Sequence, residues 1–159
     1  MKSKAVKGSR ELRLMLAAVA TMVAMPAAAQ KLLDGDSLEV GGKTYRLYGV
    51  DAPDVAQICA DGWPAGDAAE RYLGALIEGK QIACVPIVGE RKGEISAICR
   101  ADEVDIGAAM VTGGYAYADV PYSARYVAQE AAAASALRGI HAHGCLTPWE
   151  WRARLGEER

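Results

Sequence analysis

The sequence predicts an α+β domain, mainly β: a small Greek-key barrel of five short strands with three helices. Short apolar-alternating runs sit around glycine-rich turns between residues 37 and 100. One helical pattern interrupts these runs, and a helical C-terminal part follows them, its patterns stopped by glycines. The part from residue 30 onward is about 130 residues, which suits one domain with one core.

Residues 1–29 read as a secretory signal peptide rather than as part of the fold. Lys2, Lys4, Lys7, Arg10 and Arg13 make a basic start, Leu14 to Met25 is apolar, and Ala27-Ala28-Ala29 is a small-residue cleavage site. The apolar run is too short for a membrane span. The expected mature protein is secreted or periplasmic, with no stable membrane insertion after cleavage, and monomeric.

The elements follow in order. Ser37-Leu38-Glu39-Val40 alternates, Gly41-Gly42 turns, and Lys43 to Val50 alternates again, which predicts a hairpin. Pro53 ends the second strand because it cannot donate to a ladder. Val55 to Gly66 reads as a loop. Asp67 is a good N-cap with Glu70 as capping-box partner, and Ala69, Tyr72, Leu73, Leu76 and Ile77 then keep helical spacing until Gly79. Gln81 to Val88 and Glu94 to Arg100 read as strands around a loop over 89–93. Asp105 to Thr112 is a short helix stopped by Gly113-Gly114. Ser123 to Arg138 is an Ala-rich helix with Tyr126, Val127, Ala131, Ala134 and Leu137 inward, stopped by Gly139. Residues 146–159 form a tail, with amphipathic Pro148-Trp149-Glu150-Trp151-Arg152, that packs back on the domain of 30–145. Together these favour the five-stranded barrel of the oligonucleotide/oligosaccharide-binding (OB) type.

All four cysteines lie beyond residue 30, and in an exported chain an even count reads as two disulfides. Four cysteines allow three connectivities. Pairing the strands of the second hairpin about its loop sets Cys84 opposite Cys99, which leaves Cys59 with Cys145. The leader carries five basic residues and Glu11, so the mature part has 13 basic and 19 acidic residues, a net of −6. That excludes a general electrostatic polyanion binder; any phosphate must be held by a local site.

One local cluster stands out. Asp34, Asp36, Arg46, Asp51 and Asp54 fall within twenty-one residues, at the ends of two short strands. Carboxylates are hard oxygen donors for a cation such as Ca²⁺, and a guanidinium fork suits two phosphate oxygens. His141, His143 and Cys145 are too few and too committed for a zinc site. No Gly-rich phosphate loop and no Gly-x-Ser-x-Gly elbow occurs in the chain.

Over residues 31 to 141 the sequence resembles the staphylococcal nuclease-like, or thermonuclease, family. The resemblance rests on Asp34-Gly35-Asp36-Ser37, on Arg46-Leu47-Tyr48-Gly49-Val50-Asp51-Ala52-Pro53, on the helix and hairpin after them, and on the segment from Asp105 to Ala116. It is nearest to an exported bacterial subgroup with paired cysteines and a Pro-Trp-Glu-Trp-Arg tail. The resemblance implies an OB barrel of the staphylococcal nuclease type and one Ca²⁺. Asp36, Asp51 and the backbone carbonyl of Ala52 would be its ligands, with Asp34 beside it. It implies hydrolysis of nucleic-acid phosphodiesters, with nucleic acid or nucleotide phosphates as partners and Arg46 on the scissile phosphate.

Two positions depart from the family pattern. The general base is a glutamate in the family and Asp54 here, one methylene shorter, so the attacking water must move or a second water must bridge. A second phosphate arginine aligns with Glu94, which replaces a positive charge with a negative one. Arg91 and Lys92, on the same hairpin tip, are the candidate replacements. Tyr122 is the best placed of three tyrosines, with Tyr115 and Tyr117, to touch a nucleotide. The expected activity is therefore reduced. The alternatives are a catalytically degenerate OB binding module and an envelope- or exopolysaccharide-associated factor.

Overall fold

A computed structural model of the protein describes residues 30–91 and 93–156, the side chains of residues 88–91 excepted. The expected leader, Lys92 and the side chain of Arg91 lie outside the described residues. The first three strands are β1 (Gln30–Leu32), β2 (Ser37–Val40) and β3 (Lys43–Leu47). β4 (Val50–Asp51) and helix α1 (Ala65–Ile77) come next. The long hairpin β5 (Ile82–Arg91) and β6 (Glu94–Ala101) leads through β7 (Val104–Asp105) into α2 (Ile106–Gly113). β8 (Tyr117–Ala118), α3 (Val127–Ser135), a 3-10 turn (Gly139–His141) and α4 (Pro148–Leu155) complete the order.

The fold is mixed α+β with a mostly antiparallel sheet. Its order is β1-β2-β3-β6-β5, with β7 on β6, and β4 pairs β8 separately. The β3–β6 joint is parallel, with Tyr45 beside Ile95 and Arg46 beside Ser96. Among the described residues no ladder closes the sheet into a barrel, so the closed five-stranded form is not found. The expected strand from Lys43 to Val50 breaks at Gly49, whose φ of 76° is left-handed. A Cβ there would lie 2.9 Å from that of Ser123. The break turns Val50 and Asp51 out of the main sheet and onto β8.

Other expectations are corrected by local physics. Helix α1 begins at Ala65, not after Asp67, and Pro64 precedes it without a side-chain cap. Proline fits a helix start because its missing N–H is not needed there. Asp67 instead pairs with Arg71 one turn on. The expected 89–93 loop is mostly strand, since β5 runs to Arg91, and the register shifts between Pro86 and Glu90. The shift leaves Cys84 facing Cys99. Helix α3 is shorter than expected and ends before Leu137, which sits at φ 49°. Its buried residue is Ala133, with Tyr126 buried just ahead of it, while Val127, Ala131, Ala134 and Leu137 are exposed. The tail expected over residues 146–159 contains a further α-helix, α4.

Two apolar clusters hold these elements. The larger joins Leu38, Leu47 and Val50 to Leu73 and Ile77 of α1, Ala97 and Cys99 of β6, and Ile106, Met110 and Val111 of α2. Asp105 caps α2 by accepting from the Ala108 N–H at 3.0 Å. The smaller gathers Cys59, Ala65, Tyr117 and Ile140, with Trp63, Cys145 and Trp149 packed on it. Both disulfides are formed, Cys84–Cys99 and Cys59–Cys145. Among the described residues no helix is long and apolar enough to cross a membrane. Paired cysteines and no such helix are compatible with a secreted or periplasmic protein.

Candidate functional site

The acid cluster assembles at the junction of β2, β3 and β4. The β2–β3 register sets Arg46 opposite Ser37, the neighbour of Asp36. The Leu47 N–H donates to the Asp36 carbonyl at 2.8 Å and fixes that juxtaposition. The Asp36 N–H donates to Asp34 Oδ1 at 3.0 Å, closing the Asp34-Gly35-Asp36 turn. Pro53 and Asp54 then leave β4 along the start of α1. Gly66 permits the approach: a Cβ there would lie 2.0 Å from the Asp54 carbonyl oxygen.

Asp36 and Asp51 are almost fully buried, and both are held by guanidiniums. Arg46 Nη2 donates to Asp36 Oδ2 at 2.8 Å and to Asp51 Oδ1 at 3.3 Å. Asp36 Oδ2 also accepts from the Ala52 N–H at 3.0 Å, and Oδ1 from the Ser37 hydroxyl at 3.2 Å. Burial pushes the Asp36 carboxyl up to about 7, against the pull of Arg46 and with further push from Asp34 and Asp51. The Asp36 carboxylate in turn raises the Arg46 guanidinium above its ordinary range. Asp51, Asp34 and, least of all, Glu94 act on Arg46 in the same direction.

The second guanidinium comes from a residue that sequence reasoning did not place in the site. Arg152, on α4, donates from Nη2 to Asp51 Oδ2 at 2.6 Å. Its Nη1 lies 3.3 Å from both oxygens of Asp54. Asp51 is therefore gripped on its two oxygens by two arginines 106 positions apart in the chain. The two arginines line one cavity of about 100 Å³ together with Asp34, Asp36, Asp51, Ala52 and Asp54.

Arg152 arrives there because α4 is well built and well moored. Thr147 caps it in a reciprocal box with Glu150, and Pro148 occupies the first turn. The Cys59–Cys145 bridge fastens the preceding residues five positions after Asp54. The buried Gln57 amide donates to the Leu146 carbonyl at 2.7 Å, and the Trp149 ring meets Tyr117 edge-on at 5.7 Å. A signal for Arg152 did exist in the sequence. Arg152 stands seven residues after Cys145, whose bridge partner Cys59 is five residues past Asp54, and that brings it within reach of the acid cluster.

The remaining candidates go elsewhere. Tyr122 does not line the cavity; it is half-exposed, and its carbonyl accepts from the Tyr48 hydroxyl at 2.8 Å. Tyr115 stacks on Tyr72 at 4.1 Å, and Tyr117 is buried in the smaller cluster. His143 stacks on Trp63 and meets Asp61 through Nδ1 at 2.7 Å, while the His141 ring lies edge-on to Tyr117.

Calcium can be tested against the donor set. Asp36, Asp51 and the Ala52 carbonyl are hard oxygens of the kind such an ion takes, so the chemistry fits. Their present partners are guanidiniums, however, and among the described residues no group of three acidic, histidine or cysteine side chains is arranged to hold a metal ion. No family model matches the chain, and no curated protein matches it.

Proposed function

We propose that the protein is an exported phosphodiesterase of the thermonuclease type that hydrolyses nucleic-acid phosphodiester bonds, depends on calcium and turns over slowly. The observation that carries this reading is the Asp36–Arg46–Asp51 arrangement: two buried carboxylates and a guanidinium on one small cavity. The fold agrees with it. The mostly antiparallel sheet, in which the parallel β3–β6 joint sets hairpin β5–β6 alongside hairpin β2–β3, is compatible with a partly open barrel of that kind. The basic and apolar leader supports export.

Asp36, Asp51 and the Ala52 carbonyl would hold the ion, which when bound supplies charge neutralisation at the phosphate. The chain's own residues do the rest. Arg46 meets its two aspartates through Nη2, and no described residue engages its Nη1 or Nε. That leaves donors for phosphate oxygens. Asp54 takes a proton from the attacking water as the water oxygen bonds to phosphorus and the phosphorus–oxygen bond to the leaving group breaks, the leaving oxygen taking up a proton from solvent. The shorter Asp54 side chain and the Glu94 charge both reduce the rate. An arginine in the position of Glu94 is worth about 10³–10⁵ in comparable phosphoryl transfers.

The test is cleavage of single-stranded DNA and RNA by the oxidised mature protein with calcium, beside an Asp36→Ala control. Cleavage at the control's rate removes the proposal. A second reading, a binding module without turnover, is favoured by the Arg152–Asp54 contact and by Glu94. Asp54→Glu combined with Glu94→Arg separates the two: a large gain in cleavage means the framework is intact and under-armed. A wild type as fast as this double variant means the site is not degraded at all.

A further inference from the structure

We infer that Arg152 is a built-in occupant of the acid cluster that competes with a divalent cation for Asp51, so that binding the cation and uncovering Asp54 are one event. The inference rests on the functional reading above, and it concerns what that site must do before it can act.

All four carboxylate oxygens of Asp36 and Asp51 already have donors within the protein. Asp36 has Ser37 on one oxygen, and Arg46 with the Ala52 N–H on the other. Asp51 has Arg46 on one oxygen and Arg152 on the other. A cation that joins these carboxylates must take an oxygen from one of these donors. Arg46 sits on a sheet strand and holds both aspartates, so moving it dismantles the pair. Arg152 reaches in from outside the sheet, along a flexible side chain on a helix. Its contact with Asp51 is the shortest ion pair in the cavity, at 2.6 Å, so it is the group that stands where cation charge is wanted.

Charge explains why something stands there. Four carboxylates face one cavity, and Arg46 alone leaves them strongly unbalanced. Removing a cation from a buried carboxylate without replacement is costly. A divalent ion and the Arg152 guanidinium relieve the same deficit and repel each other, so the two exclude one another at Asp51. The second hand of Arg152 is on Asp54, the residue assigned to take the water's proton. Displacing Arg152 therefore clears both carboxylates together. The mooring of α4 means that the side chain, not the whole helix, has to move.

Calcium binding without substrate, followed by calorimetry on the oxidised mature protein, tests this directly. The expected result is that Arg152→Gln binds calcium at least tenfold more tightly than wild type, with Arg152→Lys closer to wild type. Equal or weaker binding by Arg152→Gln overturns the inference and leaves the proposed function standing, provided wild type binds calcium. No binding by either folded protein at about 10 mM, above the weakest range of calcium modules, overturns both. Should Arg152→Gln not fold, wild type still decides. The Arg152 Nε–H nuclear magnetic resonance signal must shift and lose exchange protection as calcium saturates. A signal unmoved at saturation overturns the inference.

Discussion

The two disulfides lie in regions that use them differently. Cys84–Cys99 joins strands that a ladder already holds from Ile82 to Ala101, across 15 positions. Cys59–Cys145 spans 86 positions and fastens an arm whose helix buries little of itself beyond Pro148. The hairpin would keep its shape by pairing alone. The arm depends on point attachments: the bridge, the Gln57–Leu146 hydrogen bond, the Trp149 ring and the Arg152 ion pairs. What differs is what each bridge protects. One reinforces a hairpin, and the other positions Arg152 at the acid cluster.

The sharpest way to break this comparison is to remove each bridge in turn. By the chain-entropy model the Cys59→Ala/Cys145→Ala pair loses about 4.5 kcal/mol, and Cys84→Ala/Cys99→Ala about 3 kcal/mol. Urea unfolding should show that order, and only the first pair should change calcium binding. Equal losses, or a calcium effect from the hairpin pair, would end the distinction. Next in size is Gly66→Ala, which drives a methyl group into the Asp54 carbonyl. It should cost about 3 kcal/mol in a melt, as overpacking does at sites that cannot yield.

Arg152→Gln should cost about 2 kcal/mol, the worth of charged hydrogen bonds when one partner of Asp51 is lost and Arg46 remains. Added calcium should restore that loss, since a ligand that binds only the folded state stabilises it. A loss that calcium leaves untouched would mean that Arg152 is a strut and nothing more. The smallest effect belongs to His141, beside Tyr117 and Glu130. Burial lowers its pKa below 6.5, against the opposing pull of Glu130. The unfolded chain therefore takes up the proton first as pH falls. This contribution is whole above about 6.5 and is lost below it, toward the depressed native value. His141→Gln should flatten the melting temperature across that window, and an unchanged slope would count against the assignment.

The site was legible where its residues are neighbours in sequence. Asp34, Asp36, Arg46, Asp51 and Ala52 sit on β3 and β4 or in the turns flanking β2 and β4, and the β2–β3 register that sets Arg46 beside Asp36 follows from alternation and a Gly-Gly turn. The cysteine pairs were legible because a hairpin constrains one pair and leaves the other. No local pattern shows Arg152 as a site residue, because its partners lie 98 and 101 positions away; only the Cys59–Cys145 pairing carries a signal across that distance. The inward face of α3 was misread for a different reason. In an alanine-rich run nearly every position is small and apolar, so periodicity does not name a face. The start of α1 lies earlier than Asp67 because Pro64, which needs no N–H partner, precedes the first turn without a side-chain cap. The expected closed barrel is not found among the described residues, and Gly49, which alternation places inside a strand, is where that strand breaks.

The fastening of α4 has one more consequence. A guanidinium moored beside its carboxylates acts at an effective concentration set by the fold, on the order of millimolar or above for a short tether. It cannot be diluted away. A ligand that has to displace it binds more weakly than it would to free carboxylates, by a factor that the tether sets. The bridge at Cys145 therefore keeps the guanidinium at the cluster, and on the inference above its reduction should weaken the competition that a cation meets there.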